Sequence, residues 1–187
     1  MITEIGRAKA LGKRGCMSIL ALVLTVLSGC LSKPDTSHFK TLSIQGTPRF
    51  RERVEKALAL LEARSPQGFN LATNYIGVIR QAEHSGMRAN ENPPVFDLND
   101  RSAFYSLTWC AGVIAHDSFH SKLYHDYKLA HHTAVPASAW GGDATERQCL
   151  VHQLRVLGEV GAPTNELAHC QLTGVDYAKV PYEKRNW

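Results

Sequence analysis

Apolar and polar positions change rhythm along the chain, and the changes mark the elements. Residues 41–46 (TLSIQG) alternate and stop at Gly46, which predicts a strand. From there Phe50, Val54, Leu58 and Leu61 keep a three-to-four spacing, with Thr47 placed to cap and Pro48 in the first turn. This predicts an amphipathic helix that ends near SPQG, residues 65–68. Residues 74–83 (NYIGVIRQAE) are rich in β-formers and residues 95–100 (VFDLND) alternate, so two short strands of a hairpin-like pair are expected around a loop over 84–94. Residues 104–123 are apolar on nearly every side as far as Ala115, too long a run for a strand, and predict a helix buried all round. A loop with Pro136, Gly141 and Gly142 covers 128–143. Helices are then expected over 144–160, stopping at Gly161-Ala162-Pro163, and over 164–172. A strand-rich first half that holds one helix, followed by a helical second half, predicts an α+β fold, with a short antiparallel-rich sheet packed on the buried helix.

The chain start follows a different logic. Arg7, Lys9, Lys13 and Arg14 precede a short apolar run, Ile19 to Leu27, and then Leu27-Ser28-Gly29-Cys30. The run is too short to span a bilayer comfortably. In this order the three features resemble the bacterial lipoprotein signal. That resemblance implies cleavage before Cys30 and acylation of Cys30, palmitate being such an acyl group. It divides the chain into a signal over 1–29, a lipidated tether over 30–40 and one domain over 41–187. The expected partner is the membrane, through an anchor that does not span it. The expected location is the cell envelope, and Leu31 after the Cys, where an Asp would retain the protein, points to the outer membrane, facing the periplasm. The signal also carries most of the charge. The whole chain is +4, and residues 1–29 hold four basic residues and Glu4, so only about +1 remains. A nucleic-acid partner is therefore not expected. Cys110, Cys149 and Cys170 stay in the domain, without a Cys-x-x-Cys pair, and the sequence leaves their pairing open.

The chemistry gathers in HDSFH, residues 116–120. His116 and His120 are four apart, so on a helix they share a face and can reach one tetrahedral metal. With nine histidines in the chain the spacing alone is a weak signal, but two buried imidazoles need partners. Glu146, twenty-six residues on, heads the apolar stripe of the next helix with Cys149, Leu150, Gln153, Leu154 and Leu157. Two roles are open to it. As a third ligand its carboxylate points at the histidines; as the last member of a capping box, Asp143 to Glu146, it turns back to its own helix start. Cys149, one turn on, is a candidate soft ligand, although a core position or a disulfide suits it better. His131 and His132 are alternatives in a loop, His125 falls off the face, and His152 lies about 120° around the helix from Glu146.

Strand, helix, strands, a long H-x-x-x-H helix and a second helix opening with Glu resemble the zincin metallopeptidases, in the branch whose third ligand is Glu. The close match covers about 104–160. The resemblance implies a zinc ion on His116, His120 and Glu146, with Asp117 in the place of the general base and peptide bonds, in envelope proteins or cell-wall peptides, as substrate. Asp for Glu is the departure, because Asp is shorter by one methylene and misplacement by ~1 Å costs about two orders of magnitude in rate. The alternative is a catalytically inactive zincin-like lipoprotein that binds an envelope partner, with Tyr177, Tyr182, Arg185 and Trp187 as a contact surface. For a peptidase, Tyr177, Tyr182 or His169 is expected to serve as oxyanion donor.

Overall fold

The computed structural model describes residues 35–172. The signal, Cys30, Leu31 and the tail with Tyr177, Tyr182, Arg185 and Trp187 lie outside the described residues. The described chain runs β1 (Thr36–Phe39), β2 (Leu42–Gln45), α1 (Pro48–Arg64), α2 (Pro66–Tyr75), β3 (Val78–Ala82), β4 (Gly86–Arg88), β5 (Val95–Asn99), α3 (Asp100–Tyr105), α4 (Leu107–His131), a 3-10 turn (Ala137–Ala139), α5 (Asp143–Glu159) and α6 (Thr164–Leu172). This is the α+β class, with one mixed sheet in the order β1-β2-β3-β5-β4.

Several expectations are corrected. The helix expected over 104–123 starts only at Leu107, after an extended Ser106, and runs on to His131, into the loop expected from 128. Residues 36–39 are not tether but a strand, which pairs antiparallel with β2 in the register Thr36 to Gln45. The segment 66–75 is helical, so the strand expected from residue 74 begins only at Val78. The two strands expected as a hairpin-like pair, β3 and β5, run parallel to each other. β5 takes its antiparallel partner from β4, which sits inside the expected loop. Both inner ladders are therefore parallel and both outer ones antiparallel.

The period of two decides which face of the sheet meets the helices. Ile44, Ile79, Phe96 and Met87 stand opposite one another across four strands and join the core. On the other face Arg80 stands opposite Asp97, and Asp97 is buried at 1% exposure. Arg80 Nε donates to its Oδ1 at 2.8 Å and Arg88 Nε to its Oδ2 at 2.5 Å, which compensates the cost of burying that carboxylate. The expected stripe of α1 is all in the core: Phe50, Val54, Leu58 and Leu61 are fully buried, and Thr47 Oγ1 caps the helix by accepting from Phe50 N.

α4 is the centre of the helical layer and packs on α1, α2 and α5. Its near-continuous burial over Cys110, Ala111, Gly112, Ile114 and Ala115 is the all-round apolar pattern realised. The approach of α5 is close: a Cβ on Gly112 would lie 2.7 Å from Leu157 Cδ2 and 3.1 Å from its Cγ, inside a fully buried contact. Gly158, one residue on, has nothing within 4 Å of such a Cβ. Opposite outcomes follow for the same substitution. Gly158→Ala should stabilise by roughly 0.5–1 kcal/mol through helix propensity. Gly112→Ala should lose by about 1 kcal/mol or more, since overpacking outweighs the same gain. Urea unfolding midpoints check both, and a stabilised Gly112→Ala would show the seam to be looser than described.

Candidate metal centre

The candidate site lies on the α4–α5 seam, about the middle of α4. Ser106 caps α4 by accepting from Trp109 N at 2.8 Å, and the helix runs unbroken to a left-handed C-cap at His132. His116 and His120 thus hold the one-turn stacking that their spacing predicts, with ring centroids 4.8 Å apart. The chain returns through the turn at Ala137–Ala139, and α5 is capped at Gly142, whose carbonyl accepts from Glu146 N at 2.8 Å.

That geometry removes one of the two roles open to Glu146. The N-cap is Gly142, without a side-chain cap bond, so Asp143 and Glu146 do not form a capping box. The Glu146 carboxylate points across the seam instead. Oε1 lies 3.3 Å from His116 Nε2 and Oε2 lies 3.2 Å from His120 Nε2. The two Nε2 atoms are 3.0 Å apart.

The outer ring nitrogens are held by carbonyl oxygens. His120 Nδ1 donates to Trp140 O at 2.6 Å, and His116 Nδ1 donates to Gln153 Oε1 at 3.0 Å. With the proton on Nδ1, each imidazole turns an Nε2 lone pair inward. An acceptor on the outer nitrogen is the arrangement that orients and strengthens a histidine as a metal ligand. Two lone pairs and a carboxylate this close repel unless a cation lies among them. The side chains are only 10–13% exposed, so bulk water does not relieve the repulsion. Without a metal the cation is a proton. Burial pulls the His120 imidazole down, but its contacts with Cys149 and Glu146 outweigh burial and hold it well above the usual histidine range. Burial raises Glu146, and the two imidazoles outweigh that and hold its carboxyl well below the usual range.

Cys149 completes the cluster. One turn after Glu146 and fully buried, it places a sulfur that lies, with ligand atoms of His116 and His120, in a group spanning at most 4.8 Å. Burial pushes its thiol up, against the pull of His120. Cys110 and Cys170 are also free and buried, Cys170 bonding weakly to Leu150 O, so no disulfide joins the three. Asp117 follows His116 on α4, half-buried, and its charge acts on both His120 and Cys149.

The other histidines separate. His131 and His132 are exposed at the end of α4, and His125 packs against Tyr75 and Tyr124. His169 stacks on Trp109 near the start of α4, at 5.3 Å between ring centroids. His152 is the residue that sequence reasoning set aside. It is buried, stacked on Phe119 at 5.0 Å, and its Nδ1 accepts from Arg155 Nη2 at 3.0 Å. Its Nε2 is buried with no hydrogen-bond partner. Burial, then the charges of Arg155 and His116, push its pKa down to about 4. The angle from Glu146 was a poor guide. Its place one turn past Cys149, toward Phe119 of α4, was the available signal.

The fold and the cluster define a class: an α+β domain whose His116, His120 and Cys149, with Glu146 beside them, form a group able to hold a metal ion. No family model, no curated protein and no solved structure matches the chain.

Proposed function

We propose that the protein is a zinc-dependent hydrolase of the cell envelope, anchored by lipid on Cys30 and acting on peptide bonds. The observation that carries this reading is the convergence of two Nε2 atoms 3.0 Å apart on one carboxylate, with each Nδ1 held by a carbonyl oxygen. The donor set suits zinc better than magnesium or calcium, which take oxygen ligands. His116, His120 and Glu146 would hold the ion. A zinc ion there supplies Lewis acidity toward water and a scissile carbonyl.

The chain's own part in the chemistry is orientation and proton transfer. Gln153 and Trp140 keep both imidazoles in one tautomer and aim them inward. Asp117, next to His116 and near enough for its charge to act on His120, would take a proton from the attacking water and return it to the leaving amine. Its reach is one methylene shorter than that of Glu, so turnover is expected to be slow.

A second reading has an observation of its own. Cys149 adds a sulfur to the group of His116 and His120, and a fourth protein donor on the ion would leave no open position. That favours a zinc-holding module without turnover. Two measurements on the full chain separate the readings. Metal analysis should give one zinc per chain, lost in His120→Ala. Cleavage of a quenched fluorescent peptide library should fall at least about 100-fold in Asp117→Ala. A folded, metal-free wild type sinks both readings; one bound zinc with cleavage unchanged in Asp117→Ala sinks the assignment of the base.

A further inference from the structure

From the seam between α4 and α5 we infer that Cys149 is the fourth ligand of the resting metal centre, so that its sulfur occupies the position a water or substrate must take. This rests on the proposed metal centre and adds a device that restrains it.

The helix geometry carries the assignment. α5 presents Glu146, Cys149 and Gln153 at intervals of three and four, on the side that packs against α4. Glu146 meets both Nε2 atoms, and Gln153 Oε1 accepts a hydrogen bond from His116 Nδ1. Cys149 lies between these two, so its side chain leaves the same face of the same helix. Its sulfur lies within 4.8 Å of the histidine ligand atoms and beside the His120 ring. The two imidazoles thus meet a carboxylate at 3.2–3.3 Å and, from the same helix, a sulfur within 4.8 Å of their ligand atoms.

Chemistry then sets the consequence. Zinc with four protein donors is the closed arrangement of structural sites, whereas catalytic sites keep one position for water or substrate. A thiolate is also the softest of the four donors and the most zinc-selective. In the resting protein Cys149 therefore competes with the water that hydrolysis needs. Hydrolysis requires the sulfur to leave or the shell to expand to five. The step balances without an oxidant: the S–H bond gives its proton to solvent as the sulfur–metal bond would form.

X-ray absorption on the zinc-loaded full chain needs no variant. It should show one sulfur at about 2.3 Å and three nitrogen or oxygen ligands near 2.0 Å. Cobalt substitution gives a second readout: a thiolate-to-cobalt charge-transfer band in wild type, absent in Cys149→Ser with one cobalt still bound. Cys110→Ser, outside the cluster, should keep the band. Peptide cleavage, if present, should rise severalfold in Cys149→Ser. One bound metal with no sulfur ligand overturns the role of Cys149 and leaves the centre standing. A wild type that binds no metal overturns the centre and the ligand with it.

Discussion

Saturating zinc should raise the melting temperature of the full chain by roughly 10–20 °C, and His120→Ala should abolish the rise. The size follows from linkage. A ligand at a thousand times its dissociation constant stabilises the folded state by about 4 kcal/mol, and each kcal/mol moves the melting point of a domain this size by about 3–5 °C. The unfolded chain does not compete well, because His120 and Glu146 are brought together only when α4 and α5 pack. The ion would also relieve the repulsion among two inward lone pairs and a buried carboxylate, which in its absence only a proton offsets. Glu146→Gln is the sharper variant, since it keeps the shape and removes the charge. Loss of a partner that merely orients a ligand costs 10–100-fold in affinity, so loss of the ligand should cost at least about 100-fold. Differential scanning calorimetry with zinc and with chelator reads both. An equal rise in wild type and His120→Ala would place the metal elsewhere and remove the centre.

Much of this site was legible in the sequence, for physical reasons that also explain what was missed. A run as apolar as 107–115 has nowhere to go but the interior, so histidines extending it had to be buried too. A carboxylate heading an apolar stripe had to find a cation, and Glu146 finds the two imidazoles. The strand partners were not legible. The period of two tells which residues share a face but not which strand lies alongside. β4, only three residues long inside a stretch that reads as loop through Gly86, Asn90, Asn92 and two prolines, takes the antiparallel place that β3 was expected to fill. α2 was hidden by its start. Ser65-Pro66 reads as a breaker, yet Pro66 is well suited to a first helical turn, and Ser65 ends one helix and begins the next. Cys149 was ranked low because a buried cysteine has a common bland role in a core, and His152 because it lies about 120° around the helix from Glu146. What they touch depends on how close α5 comes to α4, and that depends on Gly112, a residue with no side chain to show in a hydrophobic pattern.

His152 makes the metal-free protein acid-sensitive well above the range where carboxylates protonate. Its folded pKa is about 4, against about 6.5 for a free histidine, because burial and the nearby Arg155 and His116 all oppose its charge. Between these values the unfolded chain binds the proton and the folded chain does not. Stability should therefore fall as pH drops from about 6.5 to 4, by on the order of 3 kcal/mol. Glu146 adds nothing in most of that window. Its depressed carboxyl stabilises fully above the unfolded value near 4.5, and that contribution is lost only below it. His120 acts on the other side. Its raised folded pKa stabilises fully below about 6.5, and the contribution is lost as pH rises through the folded value. The chelated protein should thus be most stable near pH 6.5. His152→Gln keeps an acceptor for Arg155 and cannot titrate. Urea unfolding in chelator at pH 7 and pH 4 should show the wild type losing about 3 kcal/mol more than this variant. Parallel losses in the two proteins would mean that His152 takes up its proton without leaving the fold, and the buried stack on Phe119 would not be the acid-sensitive point.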